Sequence, residues 1–165
     1  MERCTNNPEF IKELREFLYR ANQHGYGSAE KPTDLTDGGH MLSYKDKERD
    51  WEYIDIWYGG EPYSGITKIL YQGKVVWTMV YYGEVRPEIN KYCIYNTLRL
   101  ALMNCKAEYP WRGPKEFVDE NGLIYRNQWE GDICHFEGKE SISIQDSTDP
   151  NLYSASYLGG FVNLR

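Results

Sequence analysis

The chain has 165 residues, 41% of them hydrophobic, and a formal net charge of −6 from 25 acidic and 19 basic side chains. This length predicts one domain over residues 1–165, and the acidic balance argues against duplex nucleic acid as a partner because phosphate binding needs clustered Lys and Arg. The sequence has no apolar run of about 18 residues and no secretion signal, so we expect no membrane partner and a cytoplasmic location.

The cysteines and histidines predict no metal site. Cys4, Cys93, Cys105 and Cys134 are widely spaced, without a C-x-x-C pair, and such thiols are usually reduced in a cytoplasmic protein. Cys134 and His135 are adjacent in a predicted strand, so their side chains point to opposite faces and cannot bind one ion together. We therefore expect no metal and no cofactor.

The first predicted element is a helix that begins near residue 8. Asn7 is a good N-cap, Pro8 suits the first helical position, and apolar residues then recur at helical spacing. This apolar face consists of Phe10, Ile11, Leu14, Phe17, Leu18 and Ala21. A polar loop over 28–39 follows, and then come four strands, predicted at Met41–Lys45, Trp51–Trp57, Tyr63–Tyr71 and Val75–Tyr82.

A second helix is predicted to begin at Pro87. Its apolar face consists of Ile89, Cys93, Ile94, Leu98, Ala101, Leu102 and Cys105. Strands resume after residue 114 and are predicted at Leu123–Gln128, Lys139–Ile144, Leu152–Tyr157 and Phe161–Leu164. The order of helix, strands, helix and strands predicts an α+β fold.

Corresponding motifs recur in the two halves of the chain. Tyr53-x-Asp55-x-Trp57-x-Gly59 matches Tyr125-x-Asn127-x-Trp129-x-Gly131 with one constant offset. Tyr63-x-Gly65 then matches Phe136-x-Gly138, and Trp77-x-x-x-Tyr81-x-Gly83 matches Tyr153-x-x-x-Tyr157-x-Gly159. These ordered matches predict two diverged copies of a helix-plus-antiparallel-strands unit, at about 8–86 and 87–165, that form one pseudo-two-fold domain. The seam between the copies is a natural place for a groove.

Two carboxylates and one arginine are the candidates for chemistry. Asp55 shares a strand face with Tyr53 and Trp57, where it could have a raised pKa and act as a general base, or accept a hydrogen bond from a tyrosine hydroxyl. Glu140 has the same two interpretations. Arg112 could bind an anion in a groove through its guanidinium, or hold its own loop through backbone carbonyls.

The aromatic content supports both a functional and a structural interpretation. With 15 Tyr and 5 Trp, the chain could line a groove with rings that stack on a heterocycle, worth roughly 1–3 kcal/mol per base in nucleic-acid sites. An antiparallel sheet with many cross-strand aromatic pairs would need the same residues. The predicted ligand-binding set is Tyr53, Asp55, Trp57, Trp77, Tyr81, Arg112, Tyr125, Asn127, Trp129, Glu140, Tyr153 and Tyr157.

We expect the protein to bind or sequester a small molecule of nucleotide-like chemistry in this groove, without catalysis. The sequence contains neither a G-x-S-x-G motif nor a glycine-rich phosphate loop that would favour an enzyme. The first alternative is a protein–protein module, such as a homodimer formed through exposed aromatic side chains. The second alternative is a small hydrolase that uses Asp55 or Glu140.

Several ordered blocks of the sequence resemble a known family. They are Phe17–Asn22, Trp51–Gly60, Val76–Gly83, Arg112–Pro114, Gly131-Asp132, Phe136–Glu140 and Tyr153–Gly160. Together they resemble an uncharacterised bacterial and archaeal domain of unknown function, found alone or behind a repressor-type helix-turn-helix domain. The resemblance implies a sensing or dimerising role. The chain departs from the family pattern at Thr67, Val80 and Leu158, where that pattern has Glu, Asn and His.

Overall fold

The computed structural model describes residues 7–27, 31–144 and 151–162. Its helices are α1 (Pro8–Gly27) and α2 (Lys91–Met103). The strands within these ranges are β1 (Thr33–Asp34), β2 (His40–Asp46), β3 (Trp51–Tyr58), β4 (Tyr63–Tyr71), β5 (Lys74–Val85), β6 (Glu116–Val118), β7 (Leu123–Asp132), β8 (His135–Ile144) and β9 (Tyr153–Phe161). They form an antiparallel sheet in the order β1-β2-β3-β4-β5-β9-β8-β7-β6, in agreement with the predicted α+β class.

Both helices cover the same face of this sheet. The core under α1 includes Tyr53 and Ile69, and the core under α2 includes Tyr125 and Ile142. Between them, β5 and β9 pair in continuous register from Trp77–Phe161 to Val85–Tyr153 at the centre of the sheet. The two helices therefore pack on opposite halves of one surface, with the β5–β9 junction between them.

Helix α1 agrees with its sequence prediction. The Asn7 side-chain oxygen accepts the backbone N–H groups of Glu9 and Phe10, at 3.1 and 3.2 Å, which satisfies two of the donors that a helix start leaves unpaired. The predicted apolar face is buried in the core or packs against it. Burial of this face stabilises the helix more than its intrinsic propensity does.

Helix α2 begins at Lys91, four residues after the predicted start at Pro87. The side chain of Asn90 caps it by accepting the N–H of Tyr92 at 3.1 Å, and this cap fixes where the helix begins. The predicted apolar face is wrong at Cys93, which is exposed. Cys105, predicted to lie within the helix, lies beyond its end and is buried.

The strand predictions are close for β2, β3 and β4 and too short for β5, β7 and β8. The predictions missed β6 and also β1, which lies within the loop predicted over 28–39. β4 has the predicted bounds, whereas β7 and β8 extend to Asp132 and begin at His135. The separate strand predicted at 161–164 is wrong, because β9 runs without a break through Gly159 to Phe161; residues 163–165 lie outside the described ranges. A Cβ at Gly159 would collide with the β5 backbone and the Phe136 ring, so this glycine permits close packing of three strands.

The cysteines correct one further expectation. Cys93 and Cys105 are free thiols, whereas Cys134 is disulfide-bonded rather than reduced. The described residues contain no group of three or more His, Cys, Asp or Glu side chains placed to hold a metal ion. Within the same ranges, neither helix combines the length and apolar character needed to cross a membrane.

Candidate functional site

A cavity of about 420 Å³ lies on the helix-covered face of the sheet; we call it the Asp55 cavity. Its floor is formed by three buried polar residues, Asp55, Tyr81 and Arg112. Its walls are mainly apolar and aromatic, and consist of Leu42, Trp57, Tyr63, Tyr95, Leu98 and Leu102. Its rim includes the exposed residues Pro32, Gly59, Gly60 and Arg99. Both sides of the predicted seam near residue 86 contribute to the lining.

Asp55 is a carboxylate in a desolvated position. It lies on β3 with 5% of its surface exposed, and its Oδ1 accepts hydrogen bonds from the Thr67 hydroxyl at 2.9 Å and the Tyr81 hydroxyl at 3.0 Å. Burial raises its pKa to about 6, against the opposing effects of these two hydrogen bonds and of the Arg112 charge. Both hydrogen bonds from described residues go to Oδ1, so Oδ2 is the oxygen that can meet a molecule in the cavity.

Arg112 and Glu140 form a buried ion pair behind the floor of the cavity. The Arg112 Nε donates to Glu140 Oε2 at 3.0 Å, and its Nη2 donates to Oε1, so the contact is bidentate. The hydroxyls of Tyr125 and Tyr153 also donate to the Glu140 carboxylate, at 2.6 and 3.0 Å. Both tyrosine pKa values are raised well above the usual range, first by burial and then by the charge of Glu140. The Arg112 guanidinium therefore pairs with a carboxylate of its own chain, and its binding of an anion in a groove stays a prediction.

The Arg112 guanidinium also lies between two tyrosine rings from opposite halves of the sheet. Its central carbon is 5.7 Å from the ring centre of Tyr81 on β5 and 5.8 Å from that of Tyr157 on β9. These distances are within the range of cation–π attraction. Arg112 thus joins the two central strands and closes the floor of the cavity.

A row of six residues crosses the sheet beneath Arg112 and has the same residue types from either end. In register across the strands, it consists of Trp57, Gly65, Tyr81, Tyr157, Gly138 and Trp129. A Cβ at Gly65 would collide with the Tyr81 hydroxyl, and a Cβ at Gly138 would collide with the Tyr157 hydroxyl. The two glycines therefore let each tyrosine ring lie over the neighbouring strand.

Asn127 occupies the position on β7 that Asp55 occupies on β3. Its Oδ1 accepts the Tyr157 hydroxyl at 2.7 Å, and its Nδ2 donates to the carbonyl of Gly113 at 2.9 Å. The neighbouring Trp129 packs against Tyr109 with ring centres 4.9 Å apart. Protein groups thus occupy both ends of the Asn127 side chain, while Asp55 lines a cavity.

The rim of the Asp55 cavity is held by a second carboxylate, Glu61. Its Oε1 accepts the backbone N–H of Val85, and its Oε2 accepts the Tyr95 hydroxyl. Burial, followed by the hydrogen bond to Glu61, raises the Tyr95 pKa. Deeper in the wall, the Tyr63 and Tyr153 hydroxyls are 2.6 Å apart, which links the cavity wall to the Glu140 network.

The structure places the twelve predicted ligand-binding residues in the cavity lining, around the Arg112–Glu140 pair, beyond the β5–β9 junction, or in the core. Four of them, Asp55, Trp57, Tyr81 and Arg112, line the Asp55 cavity. Glu140, Tyr125 and Tyr153 lie behind its floor, while Tyr157 contacts Arg112, and Asn127 and Trp129 lie across the β5–β9 junction. Tyr53 and Trp77 are buried in the core under α1 and do not line the cavity.

The sequence interpretation missed the contribution of α2 to the cavity wall. Tyr95, Leu98, Arg99 and Leu102 recur at helical spacing and line the cavity, although the two leucines were assigned to the core alone. Periodicity identifies the inward face of a helix but not whether that face meets other side chains or an open space. One difference between the two halves of the sequence could have pointed to the cavity wall: Tyr63 has a hydroxyl, whereas its counterpart Phe136 has none.

Comparison with known families identifies the family of the chain. A family model described as a domain of unknown function (DUF5680) matches residues 55–162, which is more than half of the chain. The chain belongs to the DUF5680 family. The DUF5680 match begins at Asp55 and includes Arg112 and Glu140, so the polar floor lies within the matched region, while α1 precedes it. No curated protein and no solved structure matches the chain.

Proposed function

We propose that the Asp55 cavity binds a small molecule without chemical turnover, in a sensing or sequestering role. The observation that carries this proposal is the contrast between Asp55 and Asn127. Both accept a tyrosine hydroxyl at equivalent strand positions, yet the amide is closed off by Gly113 while the carboxylate lines a cavity. Resemblance to domains found behind helix-turn-helix modules supports sensing in particular.

The protonation of Asp55 supports the same conclusion. A buried carboxylate with a pKa near 6 is mostly ionised at pH 7, although burial disfavours its charge. An amide satisfies the equivalent tyrosine in the second half, so the fold does not require a carboxylate there. Residues that depart from the most stable choice in this way are typical of functional sites.

The size and lining of the cavity suit a small planar ligand. A volume of about 420 Å³ lies within the roughly 300–1,000 Å³ usual for ligand pockets, whose walls are mainly apolar with a few polar groups. Trp57 and Tyr63 provide aromatic surface along the wall, and Asp55 provides a hydrogen-bond acceptor at the floor. A heterocycle with N–H groups has the matching chemistry.

We also infer that the chain arose by duplication of a unit at about residues 8–86 and 87–165. Support comes from the sheet order, in which each helix packs on its own half, and from the six-residue row that has the same residue types from either end. The pairs Asp55–Asn127 and Thr67–Glu140 occupy corresponding places in the register on the two sides of the β5–β9 junction. On this view, the cavity lies where the two copies have diverged.

A thermal-shift screen with matched tryptophan variants tests the binding proposal. Nucleobases, nucleosides, nucleotides and amino acids are screened, and a ligand at about 100 times its Kd should raise Tm by about 5–11 °C, from roughly 2.7 kcal/mol at 2–4 °C per kcal/mol. Trp57→Ala should weaken binding at least tenfold. Trp129→Ala changes the same residue type at the equivalent position outside the cavity and should leave binding unchanged.

Two results would contradict the proposal. The first is an absence of any stabilising ligand across a broad metabolite set. The second is a ligand whose affinity falls equally in Trp57→Ala and Trp129→Ala, because a general loss of sheet stability would then explain the effect. Urea unfolding of the two variants without ligand measures any such loss of stability independently.

The open face of the sheet favours a second candidate function, self-association. Five apolar side chains lie in register across five strands of this face: Met41, Ile56, Ile66, Val80 and Leu158. Val80 and Leu158 are 41% and 55% exposed. An uncharged row is self-complementary in a two-fold contact, so a second copy of the chain is the partner that fits it. A concentration-dependent mass that Val80→Lys abolishes would support this function, and a monomer at all concentrations would exclude it.

Asp55 is also the residue on which a hydrolase would depend. Its pKa near 6 suits a general base, whereas the oxygens of Glu140 are already occupied by Arg112, Tyr125 and Tyr153. A hydrolase would convert the bound ligand and lose its activity in Asp55→Asn. Recovery of the ligand unchanged after prolonged incubation would exclude hydrolysis and leave binding intact.

A further inference from the structure

We propose that the ligand of the Asp55 cavity is a nucleoside monophosphate, with its base at the floor and its phosphate at the rim. This inference rests on the proposed binding function and adds the class and orientation of the ligand. It follows from the placement of Asp55 at the buried floor and of Arg99 at the exposed rim. Both oxygens of the other charged group at the rim, Glu61, already accept hydrogen bonds from Val85 and Tyr95. The cavity thus has an acceptor at its inner end and a cation at its outer end.

The floor favours a hydrogen-bond donor over an anion. The positive charge of Arg112 is matched by bidentate contact with Glu140, so an entering anion would have no net positive charge to meet there. The ionised Asp55 carboxylate only accepts hydrogen bonds, and its Oδ2 is the oxygen available to the cavity. Ring N–H and amino groups of a nucleobase are donors of the required kind.

The walls favour a flat ring between the floor and the rim. Trp57 and Tyr63 lie on the sheet, while Leu98 and Leu102 approach from α2. Aromatic surface stacks on every base, at roughly 1–3 kcal/mol per base by alanine substitution. Apolar walls of this kind exclude water from the floor and strengthen the hydrogen bond to Asp55.

The rim favours an anionic group. Arg99 lies in the last turns of α2 and is exposed, and its Nη2 contacts the side-chain oxygen of Asn96 at 3.3 Å. A guanidinium has the planar donor geometry that pairs with phosphate oxygens. A ligand whose base reached Asp55 would leave its sugar and phosphate on the side of the cavity where Arg99 lies.

Calorimetric titration of a graded ligand series tests this assignment. The four nucleosides and their 5′-monophosphates are titrated against the wild-type chain, Arg99→Gln and Arg126→Gln. Arg126 is an exposed arginine on the open face of the sheet and serves as the matched control. For the best-bound base, we expect the monophosphate to bind about tenfold more tightly than the nucleoside, and this advantage to disappear in Arg99→Gln and at about 1 M salt. Arg126→Gln should retain it.

The outcomes separate this inference from the function on which it rests. A monophosphate that binds no more tightly than its nucleoside, or keeps its advantage in Arg99→Gln, overturns the assigned orientation while binding itself stands. If no nucleoside or monophosphate binds but another metabolite binds in the wider screen, the ligand class is wrong. If no metabolite binds at all, the proposed function itself is wrong. Asp55→Asn should weaken the nucleoside and its monophosphate by the same factor, since both place the base at the floor.

Discussion

The surroundings of Asp55 and Asn127 differ although the sheet beneath them is closely similar. In each place a tyrosine from a central strand lies over a glycine and donates its hydroxyl to the side chain in question. Beside Asn127, the backbone of Gly113 and the packed ring of Trp129 complete the structure. Beside Asp55, helix α2 leaves a cavity of about 420 Å³.

The comparison teaches that one framework of strands can hold two different polar environments. Where an amide occupies the strand position, both of its polar ends are satisfied and the region is structural. Where a carboxylate occupies it, burial opposes the charge and the side chain lines a cavity. If the proposed binding function holds, stability and function diverge at a pair of residues that differ by a single functional group.

The largest expected effect comes from the ion pair that only the second half contains. Glu140→Gln removes the bidentate partner of the buried Arg112 charge, so we expect the free energy of unfolding to fall by about 3–5 kcal/mol. Urea titration at pH 7 measures this loss. Glu137→Gln alters an exposed glutamate on the same strand and should change stability by less than about 0.5 kcal/mol. Equal effects in the two variants would show that the buried pair has no special importance.

Asp55→Asn should stabilise the protein and remove part of its pH dependence. The folded-state pKa of about 6 exceeds the ordinary value of 3.8, so the folded protein holds this proton more tightly than the unfolded chain does. The wild type accordingly loses stability as pH rises from about 4 to about 6. Since a shift of about two units corresponds to about 3 kcal/mol, the variant should gain up to that amount at pH 7.

The reverse substitution sharpens this test. Asn127→Asp should lower the free energy of unfolding at pH 7, because the new carboxylate would be buried and would face the Gly113 carbonyl. Unfolding followed from pH 4 to pH 8 for the wild type and both variants gives the comparison. A flat wild-type profile over this range would contradict the shifted pKa of Asp55.

A smaller effect is expected at the glycines under the two tyrosines. Gly65→Ala and Gly138→Ala should each cost about 1–3 kcal/mol, because the added methyl group collides with the ring of Tyr81 or Tyr157 and with a backbone carbonyl of the neighbouring strand. Thermal unfolding measures both, with Gly60→Ala as a control at a position where a Cβ meets no atom within 4 Å. Only Gly65→Ala should also weaken ligand binding, since Tyr81 supports Asp55. Similar losses of binding in both variants would contradict the distinction between the halves.

The sequence predicts those parts of the fold that local signals determine. Helix α1 has a cap at Asn7 and a regular apolar face, and β4 has clear turn residues at both ends, so both were predicted accurately. At α2 two local signals compete, and the side-chain cap of Asn90 sets the start in preference to Pro87. Two separate strands were predicted at Leu152–Tyr157 and Phe161–Leu164, but pairing with strands on both sides carries β9 through Gly159.

The candidate site was only partly predictable because its contacts are distant in sequence. Strand alternation was enough to select Asp55 and Trp57, which line the cavity. The partner of Arg112 is 28 residues away, and no spacing rule indicates that Glu140 would reach it. The α2 wall depends on the angle at which the helix crosses the sheet, which side-chain packing determines.

The β5–β9 junction determines how the protein should behave when its chain is cleaved between the two halves. Nine residue pairs join these strands, so a fragment that ended before α2 would carry an unpaired edge twelve residues long. Such an edge readily pairs with any available strand. With the Cys134 disulfide reduced, we therefore expect the two fragments produced by cleavage between Val85 and Lys91 to reassemble when mixed and to aggregate when kept apart.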